Sequence, residues 1–167
     1  MDLLAGLLVR SYGMTDLGGR PRRPTPSGDG LYLIDLFVVA VRVQDLAKGM
    51  YHYDPYRNGL ALAREIDVEG WRQATFHPEL ARDCAAIIVL DATFWRSRFR
   101  YGQRGLRFCL VEAGHLMQSP LLLSIGYSLS VRPIGGFLDK EAASEMDFDG
   151  VDEAPLYLML VGPMDTA

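Results

Sequence analysis

Apolar positions along the chain fall into runs of distinct period, and the periods predict its elements. LYLIDLFVVAVRV, residues 31–43, is mostly apolar and rich in β-branched and aromatic side chains, which predicts a strand buried on much of both faces. QDLAKG then turns the chain, and MYHYD, residues 50–54, returns as the second strand of a hairpin. The run centred on Ile87–Leu90 predicts another buried strand, and APLYLMLVGP a final one. Between these two, Leu106, Cys109, Leu110, Ala113, Leu116 or Met117, and Leu121 recur at helical period, predicting one long helix from about Gly102 to Leu129. Pro120 lies inside it, removes a backbone hydrogen bond, and is expected to kink the helix or divide it in two. VRPIGGF reads as a loop or short strand, DKEAASEMDF as a short exposed helix, and residues 55–80 as mainly short helical pieces after a turn at Asn58–Gly59. The opening MDLLAGLLVRS fits an amphipathic first helix or a helix that packs on a partner.

Hairpin-length and helix-length connections alternate, so the expected class is α+β, a mixed and mostly antiparallel sheet packed by helices around the long central helix. A length of 167 residues fits a single domain over 1–167, with an irregular N-terminal segment over 1–30 and a core over 31–162. Residues 13–30, GMTDLGGRPRRPTPSGDG, cannot be regular structure. Their arginines Arg20, Arg22 and Arg23, followed by glycines that let backbone amides approach an anion, make either a phosphate cradle or a solvated linker.

Composition narrows the chemistry mainly by exclusion. At 49% hydrophobic and 23% charged the chain is too apolar for disorder, and a net charge of -4 argues against nucleic acid as partner. The apolar opening is too short to span a bilayer and lacks a signal-peptide pattern, so no membrane role is expected. Cys84 and Cys109 sit in apolar surroundings as reduced core thiols, which points to the cytoplasm. His52, His77 and His115 lack zinc-ligand spacing, and His52, between two tyrosines, reads as a surface or edge residue. No dinucleotide fingerprint, phosphate-loop motif or nucleophile elbow is present. Glu112, Asp139, Asp147, Asp149, Asp152 and Glu153 mostly read as solvated face or turn residues.

What remains is a site that positions a cofactor. PTPSGDGLYLIDLFVVAV, GMYHYDP, RYGQRGLRF, EAGHLMQSPLLL, RPIGGF and DEAPLYLMLVG, in that order from about Arg20 to Gly162, resemble the SagB-type dehydrogenase branch of the nitroreductase superfamily. The resemblance implies a nitroreductase-like fold, usually an interlocked dimer with FMN at the subunit interface, and oxidation of thiazolines or oxazolines to azoles in peptide-derived natural products. The partners it implies are a second copy or a homologous subunit, and a peptide or carrier-bound substrate. Carried over by position, Pro26, Ser27 and Gly28 correspond to the loop that meets the flavin ring, with Arg22 or Arg23 as phosphate candidates. Pro133, Ile134, Gly135 and Gly136 correspond to the loop on the flavin's other side, or else end a helix for conformational reasons alone.

The Lys-Tyr pair associated with proton abstraction in azoline oxidases is Arg100 and Tyr101 here. A guanidinium stays protonated, so Arg100 cannot be the general base; Tyr101 is left as the candidate acid or base, or as a packing residue. Leu33 stands in place of the family's proline, Asp29 in place of a glycine, Leu106 inside the RGYR segment, and Ser119 and Pro120 in place of the usual Asn and aliphatic residue. The chain is also short at its beginning relative to the family, so part of the helical region that completes the flavin site and dimer is expected to be missing. Three functions are compatible: an FMN-dependent azoline dehydrogenase, a catalytically degenerate subunit beside an active homologue, and an NAD(P)H-dependent nitro or quinone reductase.

Overall fold

The run Ala86–Thr93 is buried at every position, and the sheet is built outward from it. The computed structural model describes residues 2–16, 19 and 21–164. Arg20, one of the three loop arginines, lies outside the described residues. In chain order the elements are helix α1 (Asp2–Tyr12), the short strands β1 (Thr15–Asp16) and β2 (Pro21–Arg22), then β3 (Ile34–Ala40), β4 (Gly49–Asp54) and β5 (Gly59–Arg64). Helices α2 (Val68–Ala74) and α3 (Pro78–Asp83) follow, then β6 (Ala86–Thr93), α4 (Phe94–Tyr101), α5 (Gly105–Gly126), β7 (Leu129–Ile134), α6 (Asp139–Met146) and β8 (Glu153–Pro163).

The main sheet has the order β5-β4-β3-β6-β8-β7, and every pairing in it among the described residues is antiparallel. Alternate residues of each strand leave on opposite faces, so the sheet feeds two cores. Leu36, Val38, Ile88 and Leu90 pack with Leu7 and Leu8 of α1 and Leu116 of α5. Val39, Ile87 and Val89 pack on the other face with Trp71 of α2, Ala81 of α3 and Met146 of α6. Each such aliphatic side chain contributes about 1.5–3 kcal/mol on burial, so the two-sided strands β3 and β6 anchor the fold.

Three expectations are corrected. The segment 1–30 is not irregular throughout: its opening forms the first helix that its pattern predicts, Asp2–Tyr12, with Leu4, Leu7, Leu8 and Tyr12 buried. Gly59–Arg64 is a strand, not a helical piece; its outer four residues are exposed, so its alternation carried no core signal. The long helix is not divided at Pro120: α5 runs unbroken from Gly105 to Gly126 and ends before Leu129. Pro120 is buried along with Leu116, Met117 and Ser124, so packing on the sheet outweighs one lost backbone bond.

Within the 33-residue stretch Phe94–Gly126, an 18-residue window reaches a mean hydropathy of 1.3, enough by length and composition to cross a membrane. Its buried side lies on the sheet, as in the core helix of a globular fold.

One face of the sheet holds a buried acid beside a partly exposed one. Asp35 and Asp91 stand directly opposite each other across β3 and β6. Asp35 takes an ion pair from Arg96 at 2.8 Å and a hydrogen bond from Thr93 Oγ1 at 3.3 Å, with His52 Nε2 at 4.0 Å. Burial would push the Asp35 carboxyl up, but His52 and Arg96 outweigh it and hold it below the usual range. Asp91 is 1% exposed, and its Oδ1 has no partner among the described residues. Burial, then the charges of Asp35 and Glu153, push its carboxyl up to about 8 despite Arg96. His52 thus stands on an interior strand, its ring half-exposed over the sheet face.

Candidate active site where the loop before β3 meets α4

The loop Ser27–Leu33 is closed by its own hydrogen bonds. Ser27 Oγ accepts the Tyr32 amide at 2.8 Å, Gly30 donates to the Ser27 carbonyl at 3.2 Å and Leu31 to the Gly28 carbonyl at 3.1 Å. Asp29 and Tyr32 take left-handed conformations, with φ of 51° and 50°. Aspartate tolerates that region better than most side chains, which is how a carboxylate can occupy a position the family gives to glycine.

Helix α4 reaches this loop from the other side. Arg100 Nε donates to Asp29 Oδ2 at 3.0 Å. The Tyr101 ring stacks on Phe108 at 4.1 Å between centroids, and a Cβ on Gly28 would lie 3.2 Å from Tyr101 Oη and 3.2 Å from Phe108 Cδ1. Gly28 is therefore small because the Tyr101–Phe108 stack closes over it. The elbow between α4 and α5 that sets this geometry is tight: Gly102 takes a φ of 56°, and a Cβ on Gly105 would lie 2.6 Å from Ser97 Oγ and 2.9 Å from the Arg98 nitrogen.

Electrostatics follow from these contacts. The Arg100 and Tyr101 hydrogen bonds hold the Asp29 carboxyl below its ordinary value. Burial against the stack, and then the hydrogen bond and charge of Asp29, push the Tyr101 phenol up. At neutral pH Tyr101 is thus a proton holder and hydrogen-bond donor.

Arg23 is enclosed. Its guanidinium lies 4.3 Å from the Tyr12 ring centroid and 4.5 Å from that of Tyr32, a cation held between two π faces. Its backbone amide donates to Tyr32 Oη at 2.7 Å, while Nε and Nη1 are buried without a hydrogen-bond partner among the described residues. Arg22 is exposed on β2, its Nη1 3.0 Å from the position of a Cβ on Gly30.

Pro133 and Ile134 end β7, paired with Met159 and Leu158 of β8. Gly135 and Gly136 follow, exposed, with Tyr157 and Phe76 nearest the positions their Cβ atoms would take, at 3.3 Å and 3.1 Å. This loop stands at the same end of the sheet as the 27–33 loop, but β6 and β8 intervene between β3 and β7. Three strand spacings of about 4.8 Å separate β3 from β7 by roughly 14 Å across the sheet. The structure thus brings Ser27, Gly28, Arg100 and Tyr101 together and leaves Pro133–Gly136 as a separate patch.

Sequence reasoning missed Glu112. It does not lie on a solvated face: it is 2% exposed on α5, and its Oε1 accepts the Leu33 amide at 2.7 Å. Its Oε2 has no partner among the described residues, and burial pushes its carboxyl up while Ser27 and the Leu33 amide pull it back. The signal was present, since residue 112 falls on the same helical face as Cys109, Ala113, Leu116 and Pro120. The other five carboxylates of that group are exposed or partly exposed. Cys84 and Cys109 are buried and free, and no cluster of metal ligands occurs among the described residues.

No protein-family model matches the chain. Solved structures do share its architecture. A chain from Anabaena variabilis named as a nitroreductase superposes with a TM-score of 0.89 at 27% identity, covering 98% of this chain and 35% of that one. A chain of the E. coli microcin synthetase McbBCD complex, solved with truncated pro-MccB17 bound, gives 0.85 at 26% identity over 99% of this chain and 64% of that one. Among curated relatives, a protein of Methanocaldococcus jannaschii named as a nitroreductase is 28% identical over 162 residues, 95% of this chain and 78% of its own length. The microcin B17-processing protein McbC of E. coli is 27% identical over 165 residues, 95% of this chain and 60% of its own length.

The antiparallel six-stranded sheet with its long central helix is therefore the nitroreductase fold. Among proteins of that fold, the likeness to McbC supports the SagB-type dehydrogenase branch to which the six motifs point. The chain spans about three fifths of McbC and about a third of the Anabaena chain.

Proposed function

We propose that this chain is an FMN-dependent dehydrogenase of the SagB type that oxidises a thiazoline- or oxazoline-like ring in a peptide or carrier-bound natural product. The observation that carries the reading is the meeting of Arg100 and Tyr101 with the Ser27–Gly28 loop, through the Arg100–Asp29 pair and the Tyr101 contact over Gly28. Two residues aligned with a proton-handling pair, and two aligned with a flavin-facing loop, are neighbours in space although over 70 positions apart in sequence. McbC, named for processing microcin B17, supports peptide maturation as the setting.

The residues fit a flavin. Gly135 and Gly136 are exposed, and neither amide donates a backbone hydrogen bond among the described residues, which suits the acceptor edge of the ring. Exposed Pro26 offers an apolar edge, and exposed Arg22 a guanidinium for phosphate. Arg23, by contrast, presents its planar faces to Tyr12 and Tyr32 and serves the loop from behind. Two more distant proteins of the same fold, at 8% and 12% identity, carry FMN in their names. Bound FMN would supply the hydride acceptor.

The nitroreductase resemblance puts the flavin at a subunit interface, and we read a site using both the Pro26–Gly28 and Pro133–Gly136 patches as completed by a second subunit, a copy of this chain or a homologue. Tyr101 holds a proton at Oη, and Arg100, fixed by Asp29, keeps positive charge beside it. The buried free thiols suit a reducing compartment, the cytoplasm.

A second reading rests on the same ion pair. With a permanently charged guanidinium where azoline oxidases carry lysine, the chain would serve as a non-catalytic subunit beside an active homologue. One experiment separates them: FMN-loaded protein is incubated with a thiazoline-containing peptide and the mass followed. Loss of two hydrogens supports the dehydrogenase; an unchanged peptide from flavin-loaded protein supports the subunit; flavin bleaching by NAD(P)H alone supports a reductase.

A further inference from the structure

Glu112 stands out as a buried acid with no place in the motifs' chemistry. It projects from the middle of α5 into the back of the 27–33 loop, where it takes the Leu33 amide at 2.7 Å. Ser27, at the other end of the same loop, lies beside it and accepts the Tyr32 amide at 2.8 Å. A buried carboxylate is tolerated only when bonded donors and nearby positive charge repay its lost hydration. Here one carboxyl group bonds the Leu33 end of a seven-residue loop whose middle, Gly28 and Asp29, touches α4.

We infer that Glu112 is the positioning residue of the candidate site: from the central helix it holds the Leu33 end of the 27–33 loop and so fixes where Gly28 and Asp29 meet Arg100 and Tyr101. The loop needs such a clamp, because it holds Asp29 and Tyr32 in left-handed conformations just before the chain joins the sheet, where the Leu33 carbonyl accepts the Thr93 amide at 3.2 Å. The titratable and charged groups facing Glu112 are Tyr12 from α1, Arg23 from the loop after β2, Tyr101 from α4 and Cys109 from its own helix. Arg23 is the positive one among them. Burial favours the protonated acid, and protonation removes the charge that the Leu33 amide and Arg23 answer; the clamp therefore loosens as pH falls through the carboxyl's raised value.

Hydrogen exchange of the whole chain, followed amide by amide, tests the clamp without requiring any cofactor. Glu112→Ala is expected to speed exchange at Tyr32 and Leu33 about tenfold or more while β6 amides hold, and Glu112→Gln, which keeps an oxygen for Leu33, is expected to restore protection. In wild type the Leu33 protection falls at acid pH, and in Glu112→Gln that dependence disappears. Should Glu112→Ala fail to fold, Glu112→Asp, one methylene shorter, carries the same expectation. Unchanged Leu33 exchange in the shortened variants, or a pH dependence that survives in Glu112→Gln, would overturn the inference. The functional arm rests on the flavin reading: FMN affinity should drop about tenfold in Glu112→Ala and recover in Glu112→Gln. Failure of wild type to bind FMN would sink that reading, while the exchange result still decides the role of Glu112.

Discussion

Arg100 Nε donates to Asp29 Oδ2 at 3.0 Å, tying the end of α4 to a loop 71 residues earlier. Both side chains are exposed, so the pair adds little to stability. Its effect is on Tyr101, whose phenol is pushed up by burial and then by Asp29. Asp29→Asn removes the charge and keeps the shape, so the Tyr101 pKa should fall with little change in melting temperature. Difference absorbance of tyrosinate, referenced to Tyr101→Phe, reads it directly; an unmoved midpoint would show that Asp29 does not act on Tyr101.

Tyr101→Phe itself should leave the fold and FMN uptake intact, because the stack on Phe108 needs only the ring. If the phenol transfers or holds a proton in turnover, azoline oxidation slows about 10²-fold. Unchanged turnover would remove Tyr101 from the chemistry and leave it a packing residue.

Two helical glycines should respond oppositely to alanine. A Cβ on Gly105 would meet the α4 backbone, 2.9 Å from the Arg98 nitrogen, which cannot swing aside. Gly105→Ala should cost about 1–3 kcal/mol in denaturant unfolding and shift α4 off the loop. At Gly70 the obstacle is the carboxylate end of Glu145, a flexible side chain that can turn away. Gly70→Ala should be neutral or stabilising by up to about 1 kcal/mol through helix propensity.

The pH dependence of stability should carry the signature of Asp91, whose carboxyl burial and the Asp35 and Glu153 charges raise to about 8. Between the ordinary carboxyl range and that value the folded state binds a proton that the unfolded state has lost. Stability therefore falls as pH rises across this window, by a few kcal/mol at most. Above about pH 8 that loss is complete. Asp91→Asn should be more stable than wild type at neutral pH and lose this component in urea unfolding from pH 5 to 9. A variant no more stable at pH 7 would mean that Asp91 is ionised without penalty.

Much of the fold was legible because its core elements bury whole faces. The runs at 34–40, 86–93 and 153–163 are apolar enough to be strands in any context, and the period from Leu106 to Leu121 marked α5. Strand β5 escaped because GLALAR is mostly exposed and pairs with only one neighbour, so the sheet, not its own pattern, makes it a strand. The six motifs located the segments of the site, but not which of them touch. Glu112 was hidden because a charge inside an apolar pattern reads as solvated until the surrounding structure shows it enclosed, and Asp91 was not singled out. Glu112 could have been found by its place in the buried period of α5, and Asp91 by its position inside an uninterrupted buried run.

The central claim is that this chain holds FMN, and titration of the purified protein with FMN, following quenching of flavin fluorescence and the visible band of the retained yellow protein, tests it most directly. Saturable uptake in proportion to chain, weakened when Gly136 is replaced by a bulkier residue or Arg22 by Ala, is the predicted result. A colourless protein that takes up no added FMN, alone or with a homologous subunit, would contradict it.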